Sequence, residues 1–124
     1  MSRHRLVNPA SGYAQAVVAA PGRTVHVAGQ TGSGSALVEQ FGAALDNVVA
    51  ALTAAGAQPE DVVSMQIFAT DVAAYRASTR ELGDVYRGRF GRHYPAMALL
   101  GVSELVDPAA LVEIVAVAVV PEER

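Results

Sequence analysis

The ten residues from Leu111 to Val120 are apolar at every position except Glu113. The run is too short to cross a bilayer. Its valines and its single isoleucine are β-branched, so it reads as a strand buried on both faces. A sheet containing such a strand needs cover on each side. The chain has 124 residues, enough for one domain over residues 1–124. Two short helices can cover one face of its sheet, and the other face then has to meet a second copy or a partner.

The composition supports a packed core. Apolar residues make up 52% of the chain and charged residues only 17%, which separates it from disordered sequences. With three Phe, four Tyr and no Trp, Ala, Val and Leu must fill most of the interior.

The remaining elements follow from periodicity. Ala16–Ala20 and Thr24–Ala28 read as strands, and Pro21-Gly22-Arg23 between them predicts a hairpin. Ala36 to Ala55 carries apolar residues at three- and four-residue steps. It reads as a helix with Ser35 at its N-cap and Gly56 just past its end. Val62–Ala69 alternates as a strand, with Val63, Met65, Ile67 and Ala69 on one face. Asp71 is placed to cap a second helix whose inner stripe is Val72, Tyr75, Thr79, Leu82, Tyr86 and Phe90. Tyr94–Val102 and Leu111–Val120 are the last two strands. The expected order is β-β-α-β-α-β-β, an α+β fold with two helices on one face of a mixed sheet.

Charge and residue usage exclude several kinds of chemistry. The nine basic residues, all Arg, against twelve acidic ones leave a net charge of −3. A basic face for nucleic acid is not expected. The sequence has no Lys and no Cys, which removes Schiff-base, thiol and thiolate-metal chemistry. His4, His26 and His93 share no metal-ligand spacing, so no metal is expected, and His26, between two valines, reads as a hydrogen-bonded structural residue. The Gly29–Gly34 segment lacks the Lys and Ser/Thr of a phosphate loop, although its backbone N–H groups could face a small anion. Gly32-Ser33-Gly34 lacks the spacing of a nucleophile elbow. The N-terminal residues have no hydrophobic segment of the secretory kind, and the protein is expected to be cytoplasmic.

Glu113 is the strongest candidate for chemistry. A carboxylate among apolar side chains is held nearer neutrality by desolvation and can then exchange a proton near neutral pH. It can equally pair with an Arg or reach solvent at a strand edge. Tyr13, just before the first predicted strand, can donate a hydrogen bond to a ligand or simply pack with its hydroxyl at the surface. Arg87, Arg89 and Arg92 cluster at the end of the second helix. Cations are favoured there by the helix dipole, and a guanidinium fork can also hold a carboxylate.

Several short segments, taken in order, resemble the Rid (reactive intermediate deaminase, YjgF-type) family. They are Val27-Ala28-Gly29-Gln30, Leu45-Asp46-Asn47-Val48, Ala55-Gly56-Ala57, Asp61-Val62-Val63, Phe68-Ala69-Thr70-Asp71, Tyr94-Pro95-Ala96 and Leu111-Val112-Glu113-Ile114. The resemblance runs from about Tyr13 to Val119. It implies a chorismate-mutase-like fold and a homotrimer with small-molecule pockets between subunits. It also implies hydrolysis of imines or enamines such as 2-aminoacrylate, without a cofactor and without a membrane partner. Older names for relatives include translation inhibitor and L-PSP endoribonuclease, but the acidic, Lys-free composition argues against RNA as the substrate.

Carried over residue by residue, the resemblance makes Glu113 the group that positions the attacking water. Tyr13, Gly29, Met97 and Leu99 would line the substrate pocket. The family's carboxylate-binding Arg should follow the Pro-Ala pair, and here Met97 follows Pro95-Ala96. Losing a buried Arg–carboxylate pair costs roughly 2–5 kcal/mol, a loss in affinity on the order of thirty- to several-thousand-fold. Efficient turnover of small imino acids therefore requires another cation, with Arg23, Arg89 and Arg92 as the candidates. Otherwise the adaptable thioether of Met97 favours a larger or uncharged substrate. A trimer that binds a small molecule without catalysis, as a regulator, is the alternative.

Overall fold

The computed structural model of the chain describes residues 4–122. Six strands form one mixed sheet: β1 (Arg5–Ala10), β2 (Tyr13–Val18), β3 (Gly22–Gln30), β4 (Val62–Ala69), β5 (Ala96–Gly101) and β6 (Val112–Pro121). The helices are α1 (Leu37–Ala54), α2 (Val72–Ala77) and α3 (Thr79–Phe90). The sheet order is β1-β2-β5-β4-β6-β3. β4 and β5 are parallel and joined through α2 and α3, whereas β6 runs antiparallel to both β4 and β3.

The hairpin expected between Ala16–Ala20 and Thr24–Ala28 does not form. β2 pairs instead with an additional strand, β1, across a two-residue Ser11-Gly12 turn with Gly12 at φ +86°. β3 pairs with β6 at the far edge of the sheet. Asn8-Pro9 and Ser11-Gly12 read as breakers in the sequence. Pro9, however, lies in an edge strand, where a missing N–H is tolerated, and Gly12 supplies the turn. Pro21-Gly22 then leads the chain from one sheet neighbourhood to another. Gly22 sits so close to the Val120 carbonyl that no Cβ could be accommodated there.

α1 packs on β6, β3 and α3 and buries Phe41, Leu45, Val48 and Leu52 against the sheet. Its N-cap is Ala36, without a side-chain cap. Ser35 instead donates to Glu39 Oε1 at 3.0 Å. Gly56, at φ +81°, ends the helix as expected. Asp71 caps α2 through the Ala74 N–H at 3.0 Å. The single second helix expected from Asp71 to Phe90 is divided at Ser78, where φ is −115° and ψ 15°. Gly83 and Gly88, the weaker helix formers, stay helical within α3. Leu82, Tyr86 and Phe90 of α3 complete the core.

The glycine-rich segment after β3 lies against the flank of α1. A Cβ on Gly32 would meet the Gln40 carbonyl and the Ala44 N–H. Gln40, only 4% exposed, holds this arrangement together. Its Nε2 donates to the carbonyls of Gly34 (3.1 Å) and Ala109 (3.0 Å), and its Oε1 accepts from the Leu111 N–H (2.7 Å).

Both helical layers lie on one face of the sheet. Val112, Ile114, Ala116 and Ala118 of β6 point toward them and are buried, whereas Glu113, Val115 and Val117 alternate onto the other face and stay half-buried. The opposite face also carries Phe68 and the exposed Leu100, and among the described residues no helix covers it.

Candidate functional site

The strand register sorts the candidate residues onto two sides of the sheet. Met65 pairs with Met97, and Ile67 pairs with both Leu99 and Ile114. Paired residues on neighbouring strands point the same way, so Met97 and Leu99 face the helices. Phe68 pairs with Leu100 and Glu113, so Glu113 faces away from them.

On the helix side lies a cavity of about 600 Å³, within the range usual for small-molecule sites. The β1–β2 turn brings Tyr13 to its rim, β5 contributes Met97 and Leu99, and the helices contribute Tyr75, Tyr86 and Arg87. Tyr75 of α2 and Thr79 at the start of α3 both line it. Tyr13 and Leu99 are each 42% exposed, so this wall is open at the turn.

The aromatic wall is ordered by stacking. Tyr86 lies between Phe90 and Tyr94, with ring centroids 5.0 and 5.2 Å away and planes within 18° and 16° of parallel. Its hydroxyl donates to the His93 carbonyl at 2.5 Å. Burial, and secondarily the neighbouring Tyr94 phenol, push the Tyr86 hydroxyl far above its ordinary pKa. Burial likewise raises Tyr75. Both are therefore neutral hydrogen-bonding groups near neutral pH.

On the opposite face, Glu113 and Gly29 meet. The Glu113 side chain lies across the Gly29 backbone, where a Cβ would sit 2.8 Å from the carboxyl carbon and 3.1 Å from Cγ. Gly29 is thus required by the position of the carboxylate. The register of β3 against β6 shifts between Val27 and Gln30, and that irregularity exposes the Gly29 backbone to Glu113. Within one chain, then, Glu113 and Gly29 form one group, and Tyr13, Met97 and Leu99 form another across the sheet.

The arginines also separate. Arg89 is held on Asp46 of α1, with Nε–Oδ1 at 2.9 Å and Nη2–Oδ2 at 3.3 Å, and neither it nor Arg23 or Arg92 lines the cavity. Arg87 does. Its Nη2 contacts Asp84 Oδ1 at 2.6 Å and its Nη1 donates to the Tyr94 hydroxyl at 3.4 Å. Both hydrogen bonds favour its charged form. In the sequence, Arg87 is one of three cations near a helix end. No sequence signal singles it out, because Gly83 and Gly88 stand one turn before Arg87 and Arg92 alike.

Of the histidines, His4 bonds the Val119 carbonyl and the Ala20 N–H, and His93 bonds the Val62 carbonyl. His26, expected to be a hydrogen-bonded structural residue, pairs with Val117 through the β3–β6 ladder, but its side chain is exposed and makes no hydrogen bond among the described residues. Among those residues no three His, Asp or Glu side chains converge on a metal position, and no helix is long and apolar enough to cross a membrane.

Comparison with known proteins gives this architecture a family. The profile described as Endoribonuclease L-PSP matches residues 3–120, and the chain belongs to that family, the YjgF/Rid family. Among solved structures it resembles a Mycobacterium tuberculosis member of the YjgF/YER057c/UK114 family. That match has 37% identity and a TM-score of 0.70, and covers 94% of this chain and 99% of that one. It also resembles YyfB of the Rid family from Yersinia pestis, with 30% identity, a TM-score of 0.78 and coverage of 94% and 98%. RidA from an Antarctic Psychrobacter is similar at 27% identity and a TM-score of 0.70, over 87% of this chain and 88% of that one. No curated protein sequence matches the chain.

Proposed function

We propose that the protein is a cytoplasmic homotrimer of the Rid type that hydrolyses an imine, an enamine or a related reactive metabolite in pockets formed between subunits. One observation carries this reading. The carboxylate suited to positioning water, Glu113, and the cavity suited to holding a substrate face opposite sides of the same sheet. Glu113 can serve such a cavity only if it belongs to a neighbouring copy. The uncovered face around it, with Phe68, Leu100, Val115 and Val117, is apolar enough to be an interface between copies.

Hydrolysis at a C=N bond needs a placed water and a group that takes its proton as it attacks the carbon. The Glu113 carboxylate would accept that proton and return it to the nitrogen, giving a carbinolamine; it would then pass the hydroxyl proton to the nitrogen as the C–N bond breaks, releasing ammonia or an amine and leaving the carbonyl. Tyr13 and the thioether of Met97 would hold the substrate body. Because Met97 carries no charge, 2-aminoacrylate and its imine are not expected to be the preferred substrates.

The same Met97 favours one second reading, a trimer that binds a small molecule without turning it over. The experiment that decides uses imino acids generated freshly by an amino-acid oxidase and trapped with semicarbazide. Accelerated loss of an imine, abolished in Glu113→Ala, supports the enzyme. Binding without acceleration for every imine tried, including those with bulky side chains, supports the second reading. Met97→Arg should raise activity on 2-iminopropionate if the anchor is all that is missing.

A further inference from the structure

We propose that Arg87, with the Tyr94 hydroxyl beside it, receives the anionic group of the ligand, and that the cavity takes a monocarboxylate with an aromatic or branched apolar body. The inference rests on the reading that this cavity is the substrate half of the site, and it adds the substrate class.

Among the residues that line the cavity, Arg87 alone carries a charge. The rest of the wall is aromatic, aliphatic or small, with Tyr13, Tyr75, Tyr86 and Met97 prominent. An apolar body with one anionic end complements such a surface.

Size points the same way. The roughly 600 Å³ present lies in the range that takes drug-sized ligands. A phenyl-bearing acid has about twice the non-hydrogen atoms of a three-carbon imino acid and fills correspondingly more of that space.

The Arg87 guanidinium folds back over Gly83, where a Cβ would lie 3.2 Å from Nη1 and 3.4 Å from Nη2. Glycine in a helix interior is unfavourable, and here it leaves the guanidinium its position at the cavity. Asp84, with its side chain 71% exposed, and the Tyr94 hydroxyl hold the cation. An exposed carboxylate of that kind is a weak partner, and a ligand carboxylate can displace it. Arg89, in contrast, has two hydrogen bonds to Asp46 and lies outside the cavity lining.

The test titrates the full-length protein with phenylpyruvate and with phenylacetone, which keeps the aromatic body and lacks the carboxylate. Phenylpyruvate should bind at least about tenfold more tightly, with affinity falling as salt is raised. Arg87→Met should weaken phenylpyruvate about tenfold or more and leave phenylacetone unchanged. Arg87→Lys should retain part of the preference. Asp84→Asn should tighten phenylpyruvate by removing the competing carboxylate, an effect that a purely structural role for Arg87 would not produce. Equal affinity of Arg87→Met and the parent for phenylpyruvate, with the variant folded by circular dichroism, overturns the inference. So does equal binding of the acid and the ketone by the parent. Because these titrations read binding alone, an inactive Glu113 would leave them standing, and their failure would leave the role of Glu113 to be decided by turnover.

Discussion

Glu113 and Gly29 depend on each other, since the carboxylate occupies the space that any side chain at position 29 would need. Gly29→Ala should therefore displace the carboxylate and lower imine turnover on the order of a hundredfold, the usual effect of misplacing a reacting group by about an ångström. The fold should survive, because the strain is relieved by moving the end of a flexible side chain. Glu113→Ala should lower turnover on the order of 10²- to 10⁴-fold, as loss of a general base does. Steady-state rates with semicarbazide trapping measure both. At this scale the sequence was informative about which residue types matter. Glu113 stands out as the one charge in an apolar run, and its face follows from alternation. The contact with Gly29 was not legible, because it arises from the register shift between β3 and β6, which periodicity cannot reveal. The sequence likewise grouped Arg87 with Arg89 and Arg92, and only the packing of α3 on α1 separates the arginine bound to Asp46 from the one at the cavity.

The elements are held by two polar anchors that amphipathic patterning does not disclose. Gln40 lies on the buried side of α1 and ties the helix to the glycine-rich segment and to the approach to β6. Gln40→Leu would leave two carbonyls and one N–H without their partner and should cost about 3 kcal/mol, measurable by urea unfolding. Tyr86 anchors the end of α3 through the His93 carbonyl. Its hydroxyl is raised from an ordinary value of 10.0, so the folded protein holds this proton more tightly than the unfolded chain. That contribution is fully present below about pH 10 and is lost as pH rises beyond it. Tyr86→Phe should cost about 1 kcal/mol at neutral pH and flatten the alkaline fall in stability, as thermal melts at several pH values would show. The helices and the central strands were legible because each buries one periodic face. The β1–β2 ribbon and the division at Ser78 were not. Pro9 and Gly12 look like breakers until the edge position and the turn are known, and a serine can either continue a helix or compete with its backbone hydrogen bonds.

For the whole molecule, the near-continuous apolar β6 already demanded cover on both faces, and the structure supplies helices on only one. Leu100 is 42% exposed in the single chain. If nothing covers it, Leu100→Asp is a surface change worth at most about 0.5 kcal/mol. If copies pack face to face there, the same change buries a carboxylate in an apolar contact and should split the assembly. Sedimentation of the variant beside the parent distinguishes the two, and we expect a trimer for the parent and a smaller species for the variant.

The claim that the site is completed across subunits has a more direct test. Glu113→Ala removes the carboxylate on one face, and Met97→Trp fills the cavity on the other. Each alone should be inactive while remaining trimeric. Co-expressed and purified as mixed trimers, they should recover imine hydrolysis, because some interfaces then unite an intact cavity from one subunit with an intact Glu113 from its neighbour. Mixed trimers with no more activity than either variant alone, assayed on an imine that the parent hydrolyses, would contradict a site shared between subunits.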